Sequence, residues 1–215
     1  MPLIDVYNEV IVETKNVFSN NFCEQMINFF ESSEANRHAG ILNENTLNKK
    51  LKSTTDVHIN NEGSSIQRYL YSTILKVVNE KKKDYIKLLK DKGIDKFRMG
   101  SNNWIQSIKY AKAVQTGPVI QKYGPGDFFD WHSDYIYDRY LGWILYLNDV
   151  SPENGGATLF NSGRVIKPER GKLLIFPSEQ LFLHKGETVK NGYKYIATGF
   201  FSDSYINNTF PFIVK

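Results

Sequence analysis

The feature that most constrains this chain is a change of period about halfway along it. From about Trp104 onward the pattern becomes period two, in short β-prone runs at 114–123, 142–147, 157–160, 172–176 and 194–201. Side chains two apart on an extended chain share a face, so these runs predict strands. The clusters between them, Gly124-Pro125-Gly126-Asp127, Pro152-Glu153-Asn154-Gly155-Gly156, Pro168-Glu169-Arg170-Gly171 and Lys190-Asn191-Gly192, are turn formers. Many short strands at close spacing imply a sandwich or barrel, and a jelly roll is one way to manage their edges.

Before Trp104 the period is helical. Asn20 or Asn21 is expected to cap a helix from about Phe22 to Ser33, with Phe22, Met26, Phe29 and Phe30 on one face. The polar stretch Asn43 to Thr55 reads as loop. A second helix begins near Ser64 or Ser65, carries the stripe Ile66, Leu70, Ile74, Val77 and Val78, and continues or restarts through Lys92, with Gly93 as its stop. The expected architecture is mainly β with supporting helices: a double-stranded β-helix (jelly roll) preceded by N-terminal α-helices. Residues 1–215 form one domain, with 1–103 the helical support region and 104–215 the jelly-roll core.

Composition narrows the function classes. The 215 residues are 41% apolar and 23% charged, as in an ordinary globular chain, and the 14% aromatic content suits a β-rich core. No apolar run approaches the roughly 18–20 residues that span a bilayer, so no membrane is expected. The N-terminal stretch lacks an apolar signal-peptide core. A single cysteine, Cys23, excludes an intramolecular disulfide and fits a reducing compartment. A cytoplasmic location is expected, or the host cytoplasm if the Asn- and Lys-rich composition reflects a viral source. Cys23 is expected to be a small buried hydrophobe. The net charge of +4 comes largely from Lys81, Lys82, Lys83, Lys87, Lys90 and Lys92, read as the solvated face of the second helix. A nucleic-acid partner is not expected. No feature specifies an oligomeric state.

The segment Asp127 to Asp134 matters most for chemistry. If it is a strand, His132 and Asp134 project from the same face and can reach one ion. His184 follows the apolar run Leu181-Phe182-Leu183 and is the best third ligand. His38 and His58 lie in the helical part and read as surface residues. Two His and one carboxylate on one face of an octahedral metal leave three positions open, as non-haem Fe(II) oxygenases require. A structural zinc site would be closed and richer in Cys.

Read as one block, Tyr123-Gly124-Pro125-Gly126-Asp127-Phe128-Phe129-Asp130-Trp131-His132-Ser133-Asp134 resembles the prolyl 4-hydroxylase-like branch of the 2-oxoglutarate- and Fe(II)-dependent oxygenases. So do Tyr146-Leu147-Asn148-Asp149 and Gly155-Gly156-Ala157-Thr158-Leu159-Phe160. His184 followed ten residues later by Lys194 is similar to that branch's distal His and cosubstrate lysine. The resemblance spans roughly Val114 to Phe201. It implies that His132, Asp134 and His184 bind Fe(II), and that Lys194 pairs with the distal carboxylate of 2-oxoglutarate. It further implies that Tyr123 and Thr158 donate hydrogen bonds to the same cosubstrate, and that Arg139 and Phe129 face the substrate.

The implied reaction consumes O₂, converts 2-oxoglutarate to succinate and hydroxylates a C–H bond, most simply of a peptidyl proline in a peptide or protein substrate. L-ascorbate is an expected accessory reductant. Phe128, Phe129, Trp131 and Trp143 are expected to exclude water from the site. Three departures bear on the substrate: Phe129 stands where the branch has Tyr, Phe200 where Trp is common, and Gly142 where Thr is frequent. Other readings are hydroxylation of another side chain or a free amino acid, a non-catalytic jelly-roll binding module, and a β-sandwich structural protein.

Overall fold

The alternating segments pair into two antiparallel sheets. The computed structural model describes residues 7–40, 47–94, 104–111, 117–135 and 139–202. The elements are β1 (Val12–Thr14), α1 (Asn20–Ser32), β2 (His38–Ala39), β3 (Lys52–Ser53), β4 (Thr55–His58), α2 (Ser65–Asp91), α3 (Trp104–Tyr110), β5 (Val119–Tyr123), β6 (Phe128–His132), β7 (Arg139–Tyr146), β8 (Thr158–Phe160), β9 (Val165–Ile166), β10 (Leu173–Pro177), β11 (His184–Gly186) and β12 (Lys194–Ser202). The larger sheet runs β1-β10-β7-β12-β5-β4-β2 and the smaller β3-β6-β11-β8-β9. This is a mainly β jelly roll backed by helices.

Two apolar clusters divide the molecule. Leu141, Trp143, Leu145 and Leu147, with Tyr195, Ala197 and Phe201, point from the larger sheet toward α1, α2 and α3. The alternate residues Ile144, Tyr146 and Ile196 point the other way and meet Phe160, Ile166 and Val189 between the sheets. Period two thus sends one face of each central strand to the helices and the other to the jelly-roll interior. Trp143 belongs to the helix side and is buried there. The expectation that it excludes water from the metal site is corrected by the parity of β7.

The helices form for the expected reasons, with adjusted ends. Ser19 caps α1, its hydroxyl accepting from the Phe22 amide at 3.2 Å, in place of Asn20 or Asn21. The buried stripe of α1 is Phe22, Cys23, Met26, Phe29 and Phe30. Burying such large apolar side chains contributes about 1.5–3 kcal/mol each. Cys23 is a buried free thiol, and burial pushes its pKa up to about 11. Ser64 and Gln67 form a reciprocal capping box on α2. Its buried stripe is Leu70, Ile74, Val78, Lys82, Tyr85 and Leu89. Lys82, expected on the solvated face, occupies a stripe position at spacing of four from Val78. Ile66 lies half-exposed at the helix start.

Four short strands come from the first hundred residues, where helices and loop were expected. Each has two to four residues, too few for alternation to show, and each is fixed by a partner distant in sequence: β1 by β10, β3 by β6, β4 by β5, and β2 by β4. Lys52–Ser53 therefore lies in a strand within the expected loop, whose residues 43–46 lie outside the described residues. Residues 104–110, expected to begin the β region, form α3. Ile108 and Ala111, three apart, are both buried on the helix side, which is helical spacing. The start of the expected first strand, at 114, lies outside the described residues. His38 and His58 lie on β2 and β4, with rings stacked at 5.2 Å.

Candidate active site

β6 and β11 pair so that His132 and His184 are direct cross-strand partners. Asp134 lies two residues beyond the end of β6, so its carboxylate arrives from the segment that follows the strand. The imidazole Nε2 atoms lie 3.8 Å (His132) and 3.6 Å (His184) from the two oxygens of Asp134. Each Nδ1 lies against a backbone carbonyl: His132 against Asp130 at 2.7 Å, His184 against Phe182 at 3.1 Å. A carbonyl accepts only, so each ring carries its proton on Nδ1 and turns the Nε2 lone pair inward. Burial, and secondarily the neighbouring His184, lower the His132 pKa to about 4, which keeps that ring neutral. All three residues offer a ligand atom within 4.8 Å of the others. Two imidazoles and a carboxylate fit Fe(II) and leave room for further ligands.

A bulge completes the wall beside His132. His184 and Gly186 of β11 face His132 and Phe129 of β6, so Lys185 alone opposes Asp130 and Trp131. The extra residue brings Phe129 to the same interior face as His132 despite their odd spacing. The two rings stack at 3.5 Å with only 8° between planes. Gly142 is required on the opposite wall. A Cβ there would lie 2.8 Å from the Phe176 ring and 3.1 Å from the Asp134 carboxylate. The Thr frequent in the related branch would push Asp134 or Phe176 aside. Trp131, expected to shield the site, is 44% exposed and lies under the Lys185 ammonium at 5.1 Å.

Lys194, first residue of β12, is 1% exposed. Its ammonium donates to the Gly156 carbonyl at 3.0 Å and lies 3.9 Å from the Tyr123 ring centre. Gly155 and Gly156 have φ of 73° and 76°, a backbone open to glycine, and this turn presents the carbonyl. Burial lowers the Lys194 pKa to about 7. An ammonium carries three donors, and one carbonyl plus an aromatic face leaves donor capacity for an anion. Thr158 is buried, and its oxygen accepts from the Tyr146 hydroxyl at 2.7 Å, leaving its own proton available. The Tyr123 hydroxyl donates to Gln121 Oε1 at 3.0 Å. Arg139 is half-buried on β7, its guanidinium 3.7 Å from the Phe200 ring centre.

With this geometry in view, the similarities to known proteins are informative. Residues 118–202, the whole span from β5 to β12, match the 2OG-Fe(II) oxygenase superfamily. That span is a 2-oxoglutarate- and Fe(II)-dependent oxygenase domain. No curated protein sequence matches it. Solved structures with the same fold include a prolyl hydroxylase from Trichoplax adhaerens in complex with a hypoxia-inducible-factor peptide (16% identity, 94% of this chain and 87% of that one, TM-score 0.66). Others are a Pseudomonas putida prolyl-4-hydroxylase (13%, 94% and 99%, TM-score 0.60) and the viral collagen prolyl hydroxylase of Paramecium Bursaria Chlorella virus-1 with 2OG (16%, 94% and 99%, TM-score 0.58). At these identities the likeness establishes the fold. The cofactor set of this oxygenase is Fe(II) and 2-oxoglutarate, with O₂.

Sequence reasoning missed several residues of the interior. Lys52, Thr54 and Asp56 surround the site from β3, the residue after it and β4, and Gln121 from β5. Only Gln121 carried a signal, since it lies two before Tyr123 and so shares its face. The others stand in a polar stretch whose folding back onto β5 and β6 has no local mark.

Proposed function

We propose that this oxygenase hydroxylates a C–H bond of a peptidyl proline in a peptide or protein substrate, with decarboxylation of 2-oxoglutarate to succinate. The observation that carries the reading is the His132, Asp134 and His184 donor set in one interior with the buried, under-satisfied ammonium of Lys194. His132, Asp134 and His184 would hold Fe(II). Bound Fe(II) supplies the redox chemistry that couples O₂ and 2-oxoglutarate to C–H oxidation. Lys194 would take the distal carboxylate of 2-oxoglutarate, and Thr158 would donate its free hydroxyl proton nearby. Phe129, flat on His132, would keep that ligand's ring dry and in place. Arg139, held over Phe200, would meet the substrate backbone.

Support for a proline substrate comes from the shared fold with prolyl hydroxylases, one of which holds a peptide. Phe129 favours a second reading, another protein side chain or a free amino acid, because it lacks the hydroxyl that the related branch carries on the substrate side. The test is anaerobic addition of Fe(II) and 2-oxoglutarate, read by the visible charge-transfer band. Succinate release in air, with and without L-ascorbate, then follows across proline-containing peptides and free amino acids. Asp134→Ala should abolish the band and turnover. Absence of both signals in the unaltered protein would sink the oxygenase reading; succinate release with free amino acids alone would move the substrate to the second reading.

A further inference from the structure

A chain of buried polar groups runs from β3 to the cosubstrate pocket. Asp56 is buried and accepts three hydrogen bonds: from Lys52 Nζ at 2.8 Å and Gln121 Nε2 at 3.2 Å on Oδ2, and from Thr54 Oγ1 at 2.7 Å on Oδ1. Lys52 and Asp56 form a buried ion pair, their side chains only 4% and 3% exposed. The Lys52 ammonium also lies 5.3 Å from the ring centre of Phe129, which stacks on His132. Beyond Gln121 comes Tyr123, 2% exposed, under the Lys194 ammonium.

The direction of the chain follows from what each group can do. An ionised carboxylate only accepts, so Gln121 must turn its NH₂ toward Asp56. That leaves the Gln121 carbonyl oxygen toward Tyr123, and a carbonyl also only accepts. The Tyr123 hydroxyl must therefore be the donor in that contact. Flipping the Gln121 amide would set NH₂ against the Tyr123 oxygen and a carbonyl against the Asp56 carboxylate, an arrangement with two oxygens facing and no proton between them. Lys52 pairs directly with Asp56 at 2.8 Å, so the polarity is set from the far end by a donor that cannot accept.

We propose that Lys52, Asp56 and Gln121 are positioning residues that commit the Tyr123 proton away from the cosubstrate. Tyr123 then offers 2-oxoglutarate an aromatic wall, and the distal carboxylate takes its hydrogen bonds from Lys194 and Thr158. The proposal rests on the 2-oxoglutarate reading of this pocket. It reverses the role that the family resemblance implies for Tyr123, and it explains how one lysine can be held at the face of a tyrosine without the hydroxyl competing for the same carboxylate.

The test measures the Kd of 2-oxoglutarate from the anaerobic Fe(II) charge-transfer band, in the unaltered protein and in Tyr123→Phe, Gln121→Leu and the double variant. Tyr123→Phe should change Kd less than threefold. Gln121→Leu frees the Tyr123 proton and should tighten binding severalfold, and that gain should vanish in the double variant. A tenfold or greater weakening in Tyr123→Phe, or a Gln121→Leu effect that persists without the hydroxyl, would overturn the proposal. NMR of the unaltered protein labelled with ¹³Cζ-tyrosine gives an arm that needs no variant. A slowly exchanging Tyr123 hydroxyl proton close to the Gln121 side chain is expected, and a freely exchanging one would count against it. If the unaltered protein titrates with no 2-oxoglutarate at all, the oxygenase reading itself fails; if it binds and only the Tyr123 series departs, the positioning chain alone fails.

Discussion

Two buried lysines, one on each side of the larger sheet, have the same chemistry and different surroundings. Lys82 lies on the helix side, where its ammonium donates to the carbonyls of Ala111 and Lys109 at the end of α3 and lies 5.2 Å from the Phe201 ring centre. Lys194 lies on the interior side with one carbonyl and one aromatic face. Burial lowers the pKa of both. The helix C-terminus supplies Lys82 with the acceptors a cation needs there. Lys194 is left short of acceptors, so its desolvation is offset only when an anion arrives. The difference separates a lysine that closes a fold from one that waits for a ligand.

The same contrast extends to the two faces. The helix side is an apolar layer of Phe30, Trp143, Leu145 and Phe201. The interior carries His132, Asp134, His184, Lys194, Lys52 and Asp56 among fewer apolar residues. Stability should therefore reside mainly on one face and ligand affinity on the other.

The largest expected effect tests that division directly. Trp143→Ala removes a fully buried indole from the helix side and should cost about 3–5 kcal/mol of unfolding free energy, read by denaturant titration. The 2-oxoglutarate affinity of the remaining folded protein should be little changed, and a large affinity loss would break the division. Next comes Lys194→Met, which should weaken 2-oxoglutarate binding by the loss of a charged hydrogen bond, about 1.5–3 kcal/mol or tenfold and more. The ligand-free variant should be at least as stable as the unaltered protein, since an under-satisfied buried cation has been removed. A destabilised Lys194→Met would show that the lysine belongs to the fold after all. Lys82→Met should show the reverse pattern: about 1–2 kcal/mol of lost stability from carbonyls left without a donor, and unchanged 2-oxoglutarate affinity.

The most gradual effect is a slope with pH. Free Lys194 titrates near pH 7, whereas a lysine in the unfolded chain titrates at about 10.4. Between these values the unfolded chain binds more protons, so stability of the ligand-free protein rises with pH over that window. A bound carboxylate restores the proton, so cosubstrate binding above pH 7 takes one up and weakens by up to about tenfold per pH unit. Calorimetry in buffers of different ionisation enthalpy would count that proton. A flat affinity from pH 7 to 9 would mean that Lys194 does not meet the anion.

Much of the site was legible in the sequence because its spacing is short. His132 and Asp134 were legible from their spacing of two, and His184 from the apolar run before it, whereas Tyr123 and Lys194 were implied only by the family resemblance. β5, β7, β8, β10 and β12 were legible because each has its own period and its own turn, whereas β9 and β11, of two and three residues, are too short to show one. The cap of α1 was misplaced by one or two residues because Ser and Asn at 19, 20 and 21 compete for one role, and the Ser19 hydroxyl is the one that meets the Phe22 amide. Lys82 was misassigned because a run of like charges conceals a stripe position.

The sequence by itself determined the period, the turns and the ligand types, because each is a property of residues within one strand or one helical turn. Tertiary structure alone decided the rest. It brought β3 and β4 onto β6 and β5, which joined Lys52 and Asp56 to Gln121, 65 or more positions away. It also set a bulge opposite β11 that turned Phe129 onto His132. Those outcomes depend on which strands pair and in what register, and pairing is decided by burial of whole faces, which no local pattern records.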